Sequence, residues 1–372
     1  MKEKLTLFFK NETVLAISLV LALCSMLVIP PDAAYISYID CNTLILLFCL
    51  MGVMAGFQTL GLFEKIGASL LSRVKTTRQL FAVLVCLPFA FSMLITNDVA
   101  LITFVPLAII VLRMAKEASL LIPVIAMQTI AANLGSMLMP MGNPQNLYLY
   151  AKSGMSFPSF VGLMLPYTMI AALCLILFGL TIPKRSITQL NLEDTKKMSQ
   201  KMLLLYGIAF LLCLLSVLKL LELRILLVLM LAFFLFFDRT ILTRIDYALL
   251  GTFIGFFVFI GNMQRIPAFQ NFLSHIVEQH EIPVAILSSQ IISNVPAALL
   301  LSGFSSNWED LIIGTNLGGL GTLIASMASL ISYKQLAREY PKQKGRYLCF
   351  FTISNVAMLG IYGILLFCFS PQ

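Results

Sequence analysis

The sequence predicts an all-α polytopic membrane protein arranged as an inverted repeat, with about nine spanning helices, two re-entrant hairpins and two broken helices. Three observations predict it. Hydrophobic residues make up 59% of the chain and charged ones 11%, with a mean hydropathy of +0.95, too little polar surface for a soluble domain. Short polar stretches, Thr96-Asn97-Asp98 and Ser293-Asn294, interrupt two apolar runs. An Asn-Leu-Gly tripeptide follows each of them, at Asn133 and at Asn316, inside segments that Gly and Pro break. A span needs about 20 apolar residues to cross roughly 30 Å of hydrocarbon, so 372 residues hold around ten helical segments with short loops.

Apolar segments fall at 13–29, 42–60, 79–95, 99–112, 120–149, 160–182, 202–219, 223–237, 247–262, 283–303, 311–333 and 347–369. The first follows Lys2, Lys4 and Lys10 in the manner of a signal peptide. No A-x-A site follows it and Leu23 before Cys24 makes a poor lipobox, so an uncleaved span is expected. Arg73, Lys75 and Arg78 precede the Thr-Asn-Asp tip, and Arg113 and Lys116 follow it, which returns both arms to one side as a hairpin. The segment 283–303 bends at Ser293-Asn294-Val295-Pro296, and its flanks carry Glu278, His280, Glu281, Glu309 and Asp310 without Lys or Arg. It therefore opens to the outside. With both hairpins non-crossing, the N-terminus is cytoplasmic and the C-terminus outside, and 21 of the 25 Lys and Arg fall inside. Only Lys152, Lys219, Arg224 and Arg265 lie outside, as the positive-inside rule requires. The net charge of +8 is then loop bias in a cell-membrane protein, with no call for nucleic acid.

The stretches 61–74 and 266–277 are amphipathic and expected to lie in the interface. The polar residues 184–201 read as a cytoplasmic linker. The chain thus divides into an N-terminal scaffold span at 1–39, a first repeat at 40–183, the linker, scaffold spans at 202–245 and a second repeat at 246–372. Eight Cys are scattered singly and read as small buried apolar residues, and the two His share one polar loop, so neither disulfides nor a metal cluster is favoured.

The halves overlay by their unusual residues. Asp40 and Asp246 each precede a span; an amphipathic stretch and a hairpin follow, then Asn133-Leu134-Gly135 or Asn316-Leu317-Gly318. The separation from tip Asn to this second Asn is 36 residues in the first half and 22 in the second. Since the hairpins open to opposite sides, the repeats are inverted, which is the signature of secondary transporters with midplane sites. The second half has one more span before its hairpin, so the symmetry is incomplete.

Three polar residues at a hairpin tip need a use in hydrocarbon. Asn and Asp also cap helices readily, and that role is expected at Thr96-Asn97-Asp98 as well. Pro140, Gly142 and Pro144 break one helix, and Gly318 and Gly319 another, freeing carbonyls that suit Na⁺. Small residues there can equally serve close helix packing. Neighbouring Asn133, Ser136, Asn143, Asn146, Asn316 and Thr322 favour a site. Asn262 and Gln264 end a span and are expected to be solvated at the interface.

In these residues the chain resembles the ion transporter superfamily, which includes divalent anion/Na⁺ symporters, citrate transporters, arsenite permeases and NhaD-type antiporters. Thr96-Asn97-Asp98 and Ser293-Asn294-Val295 match the Ser-Asn-Thr tips of the dicarboxylate symporters, and Asn133 to Asn146 match their broken-helix motif, over about residues 40–370. The resemblance implies a homodimer with a scaffold and a moving transport domain, working by elevator-like alternating access. It implies substrate and ion binding by Thr96, Asn97, Asp98, Asn133, Ser136, Gly142, Asn143, Pro144, Asn146, Ser293, Asn294, Asn316, Gly318, Gly319 and Thr322, with Na⁺ near Asn97, Asn133, Asn294 and Asn316. Two departures bear on the substrate. Val295 lacks a hydroxyl for a carboxylate, and Asp98 is a charge that an anion tolerates only when the Asp is protonated or paired with a cation. Asp in that place resembles the arsenite-permease and NhaD branches. The expected function is secondary transport of an anion, a carboxylate or inorganic oxyanion, coupled through Asp98 to H⁺ or Na⁺, with no resident cofactor. The alternative is a Na⁺/H⁺ antiporter; a channel or membrane-embedded enzyme is remote, since no nucleophile and base pair is present.

Overall fold

A computed structural model describes residues 12–187 and 198–369. In chain order the helices are α1 (Thr13–Val28), α2 (Ala34–Tyr38), α3 (Cys41–Thr59), α4 (Leu62–Leu71), α5 (Thr77–Phe91), α6 (Asn97–Met114), α7 (Leu121–Gly135), α8 (Pro144–Ser153) and α9 (Phe157–Thr181). There follow α10 (Gln200–Val217), α11 (Leu223–Phe237), α12 (Tyr247–Gln264), α13 (Pro267–Val277), α14 (Glu281–Ile292), α15 (Asn294–Leu301), α16 (Trp308–Leu317), α17 (Met327–Glu339) and α18 (Lys344–Phe369). No strand is formed among the described residues; one isolated bridge joins Thr76 to Ser186.

Local chemistry sets the boundaries. The Asp40 carboxylate accepts from the N–H groups of Asn42 and Thr43 at the start of α3, and Asp246 accepts from Leu249 N–H at the start of α12. Side chains of Thr76, Ser156, Ser199 and Asn307 cap four more starts, each satisfying a donor that the helix geometry leaves open. The linker begins stitched to the α5 cap: Arg185 N–H donates to Thr77 Oγ1 at 3.0 Å and Ile187 N–H to the Lys75 carbonyl at 3.0 Å. Its positions 188–197 lie outside the described residues, as do 1–11.

Among the described residues seven stretches are long and apolar enough to cross a membrane, the arm Asn97–Met114 among them, while α1 and α11, with 16 and 15 residues, are shorter apolar helices. Burial ranks them. The most apolar window of Ala118–Leu138 is 94% buried and that of Pro341–Cys368 only 22%, so α7 is the axis around which the bundle packs and α18 a peripheral helix. Outward-facing Leu27, Phe236 and Phe367 leave an apolar belt, which lipid tails cover without penalty. For the same reason the expectation of buried cysteines fails: Cys24, Cys41, Cys86, Cys349 and Cys368 are exposed, and only Cys49 and Cys213 are fully buried. A thiol is apolar enough for lipid and needs no protein core.

Asn262 corrects another expectation. It is buried, not solvated, and its Nδ2 donates to Ser25 Oγ at 2.9 Å and Tyr35 Oη at 2.8 Å, fastening α12 to α1 and α2. Gln264 is exposed but bonded, donating to the Gly303 carbonyl at 2.6 Å.

Candidate functional site

Two hairpins and two helix breaks meet at the centre. In the first hairpin α5 ends at Phe91 and α6 starts at Asn97; in the second α14 ends at Ile292 and α15 starts at Asn294. At both tips the Asn side chain turns back on its own backbone. Asn97 Oδ1 accepts from Asp98 N–H at 2.9 Å and Asn294 Oδ1 from Val295 N–H at 3.0 Å, so each Asn, buried, satisfies a free helix donor. Asp98 does not cap, contrary to what its type suggests. Thr96 occupies the N-cap position of α6 without a side-chain cap bond.

The breaks lie where Pro and Gly place them. Between α7 and α8 the chain runs through short 3₁₀ turns at Ser136–Leu138 and Pro140–Gly142. Between α16 and α17 it bends through 318–326, with Gly321 at φ +110°. A side chain at Gly321 meets the Gln290 amide, which clamps this bend. Gln290 Nε2 donates to the carbonyls of Gly318 and Leu320 at 3.1 and 2.9 Å, and its Oε1 accepts from Thr322 N–H at 2.9 Å. Thr322 itself is exposed, and its hydroxyl donates to the Gln290 carbonyl, so it shapes the bend and does not face the central asparagines.

Those asparagines are joined. Asn97 Nδ2 donates to Asn133 Oδ1 at 2.8 Å, tying the first tip to the end of α7. Asn133 Nδ2 reaches the second break at the Gly319 carbonyl and Ser329 Oγ, both at 3.3 Å, and Ser326 Oγ donates back to Asn133 Oδ1 at 3.0 Å. Reciprocally, Asn316 Nδ2 donates to Asn146 Oδ1 at 2.6 Å, and Asn146 Nδ2 to the Ser136 carbonyl at 3.3 Å. Asn143 Nδ2 donates to Ser136 Oγ at 2.5 Å. The glycines let this happen: a Cβ on Gly135 meets the Phe89 carbonyl and Ser92 Oγ, one on Gly142 meets the Ser136 carbonyl, and one on Gly319 sits 3.1 Å from the Asn294 amide. Asn316 Oδ1 and both polar atoms of Gln145 are buried without a partner among the described residues. Such neutral oxygens suit a hard monovalent cation.

Of the residues expected at the site, Asn97, Asn133, Ser136, Asn143, Asn146 and Asn316 share this network, with Gly318 and Gly319 at its second break and Ser293 and Asn294 at the second tip. Gly142 and Pro144 form the first break. Asp98 stands apart. With Thr96, Asn143 and Pro144 it lines a cavity of about 200 Å³ walled by α3, from Leu47 to Gln58, and by Arg244, Asp246 and Leu249 at the start of α12. Its carboxylate has neither a hydrogen bond nor an ion pair among the described residues. No cluster of three or more metal-ligating His, Cys, Asp or Glu occurs among them.

Ser326, Ser329 and Gln290 carry no mark of their own in the sequence, and Gln145 stands in the broken-helix motif without an expected role. Ser329 has a signal by position alone: it follows Asn316 by 13 residues, as Asn146 follows Asn133. The two contacts Asn133 to Ser329 and Asn316 to Asn146 therefore join residues at equal offsets from the two Asn-Leu-Gly tripeptides. Residues 4–306 match the family described as citrate transporter. The chain belongs to that family. It is 34% identical over 297 residues to the uncharacterized transporter MJ0456 of Methanocaldococcus jannaschii, covering 80% of this chain and 81% of that one. It is 32% identical to the inner membrane protein YbiR of Escherichia coli K12, over 80% of each. A shorter match, 36% identical over 37% of this chain and 28% of the other, is to the rice silicon efflux transporter LSI3. This member of the citrate transporter family is thus an integral membrane transporter and not an enzyme.

Proposed function

We propose that this protein is a secondary active transporter for a small anion, a carboxylate or inorganic oxyanion, coupled to H⁺ or Na⁺ through Asp98. The observation that carries the reading is the joining of two broken helices and a hairpin tip by asparagines, with an unpartnered carboxylate at that tip beside a cavity. Broken helices place free backbone and amide groups where ions bind and leave. Asn97, Asn133, Asn294 and Asn316, with the orphan acceptors of Asn316 and Gln145, supply neutral oxygen for Na⁺; Thr96, Asn143 and Asp98 meet the substrate. These matched contacts are in keeping with two repeats of opposite orientation with re-entrant hairpins, and the distribution of Lys and Arg supports the N-terminus inside and the C-terminus outside. On this reading the hairpins and broken helices move as one body against α1, α3, α10, α11 and α12 in a homodimer, an elevator-like cycle.

A second reading, Na⁺/H⁺ antiport, is favoured by one feature: the Asp98 carboxylate has no hydrogen-bond or ion-pair partner among the described residues, which leaves it open to bind H⁺ and Na⁺ in turn. Proteoliposomes under an imposed pH or Na⁺ gradient separate the two. Gradient-driven uptake of labelled citrate or an inorganic oxyanion, reduced at least about tenfold and no longer gradient-dependent in Asp98→Asn, is expected. A tenfold loss corresponds to about 1.4 kcal/mol of coupling. Na⁺/H⁺ exchange without any anion selects antiport, and unchanged transport in Asp98→Asn removes Asp98 from both mechanisms.

A further inference from the structure

Asp246 and Asp40 hold the same place in the two halves, yet their carboxylates are used differently. Asp40 is consumed by its helix: Oδ1 accepts from Asn42 and Thr43 N–H, and Oδ2 from Thr43 Oγ1 at 3.0 Å. Asp246 has Leu249 where Asp40 has Thr43. Among the described residues only its Oδ1 is bonded, to Leu249 N–H at 2.9 Å, and the residue lines the Asp98 cavity. Two residues earlier Arg244 lines the same cavity. Five other arginines are engaged, Arg113 with Glu339, Arg265 with Asp32, Arg185 with Glu117, Arg78 with the carbonyls of Leu180 and Ile182, and Arg239 with that of Leu235, while Arg73, Arg338 and Arg346 are without such a partner among the described residues but do not line this cavity. Arg244 has no ion-pair or side-chain hydrogen-bond partner among the described residues.

The remaining wall is apolar, with Leu47, Leu50, Met51, Met54, Ile102 and Leu147 among its residues. Arg244 and Asp246 are both exposed, so they stand at the cavity's water-accessible edge, where charges beside low-dielectric walls bias which ions enter a cleft. Asp98 belongs to the hairpin, whereas Arg244 and Asp246 belong to the opposite wall. We propose that Arg244 and Asp246 are specificity-determining residues, which set the charge of the cavity from the wall facing the hairpin and so decide which solutes reach Asp98. Arg244 offsets one carboxylate and admits an anion; Asp246 limits the negative charge that the anion can bring. Solutes of low charge pass, and polyanions are disfavoured. This rests on the transport reading above only for its consequence; the charge of the cavity is measurable without transport.

The test places one cysteine, Met51→Cys, in a background whose eight native cysteines are replaced, and compares its reaction rates with anionic and cationic methanethiosulfonate reagents. Leu249→Cys serves as a second reporter where the first does not fold. Arg244→Gln is expected to lower the anionic-to-cationic rate ratio about tenfold, and Asp246→Asn to raise it about as much. Asn keeps the helix cap, so the second variant removes charge alone. In proteoliposomes, Arg244→Gln is also expected to raise the KM for a labelled monovalent oxyanion several-fold, and Asp246→Asn to improve uptake of citrate relative to it. Rate ratios that stay within twofold in both variants overturn the proposal, as do shifted ratios with unchanged preference between monovalent oxyanion and citrate. Wild-type protein that carries no anion, with ratios shifted as stated, overturns the anion reading and leaves Arg244 and Asp246 as the residues that set the cavity's charge.

Discussion

The two hairpin tips carry the same residue to different ends. At the first, five residues, 92–96, separate the arms; at the second, Ser293 alone does so, with φ +73°. Asn97 reaches across to Asn133, while the Asn294 side chain bonds only within its own tip and its N–H donates to the Ala325 carbonyl at 3.0 Å. The first tip faces a cavity that Thr96 and Asp98 line, whereas at the second both Ser293 and Asn294 are buried. One motif can thus serve a roomy tip and a tight one, because the Asn amide completes its helix start in both.

The comparison breaks most visibly at the glycines that seat the tips. A Cβ on Gly135 would clash with the backbone Phe89 carbonyl of α5, whereas one on Gly318 would lie 2.5 Å from Ser289 Oγ and, less closely, 2.9 Å from the Gly314 carbonyl oxygen. Gly135→Ala is therefore expected to cost about 3 kcal/mol or more by overpacking, and Gly318→Ala about 1–2 kcal/mol. Gly360→Ala, where nothing lies within 4 Å, is the neutral control. Thermal unfolding of the detergent-solubilised protein measures all three, and equal losses at Gly135 and Gly318 contradict the asymmetry.

A smaller difference separates the asparagines. Asn97→Ala removes a buried bond to another element and leaves Asn133 Oδ1 with Ser326 alone, at about 1–3 kcal/mol. Asn294→Ala removes only the bond within its tip and is expected to cost about 1 kcal/mol. The unfolding midpoints rank the two, and a larger loss at Asn294 reverses the stated roles.

How far this was legible in the sequence follows from which forces act locally. Hairpin tips, both breaks and the Asn-Leu-Gly correspondence stand in the chain as polar or Gly and Pro residues among apolar ones, since hydrocarbon makes such residues conspicuous. What they touch was hidden. Ser326 and Ser329 are ordinary residues until the fold sets them against Asn133, and Asn262 was misread because a residue near a span end can face either water or a neighbouring helix. Arg244 reads as cytoplasmic loop charge and Asp246 as the counterpart of Asp40 before a span; only packing shows that they share a cavity with Asp98. The cysteines misled for the opposite reason, since lipid accepts what a soluble surface rejects.

Ser293 tests the tight tip by the smallest change. Its φ of +73° with ψ of +153° falls where Gly is at ease and other residues are strained by about 1–3 kcal/mol. Its hydroxyl lies 3.4 Å from Asn294 Oδ1 and 3.5 Å from the Ala325 carbonyl, too far for strong bonds. Relief of strain and loss of these contacts oppose each other, so Ser293→Gly is expected to leave the unfolding midpoint unchanged or raise it slightly. Transport then reports separately. A hydroxyl that only closes the turn leaves uptake intact in Ser293→Gly, whereas one that meets an ion or solute lowers uptake at unchanged stability, and Ser293→Ala, which keeps the strain, lowers it as well. A stability loss above about 1 kcal/mol in the Gly variant means that the serine holds the tip through its hydroxyl and that the two hairpins differ less than their backbones suggest.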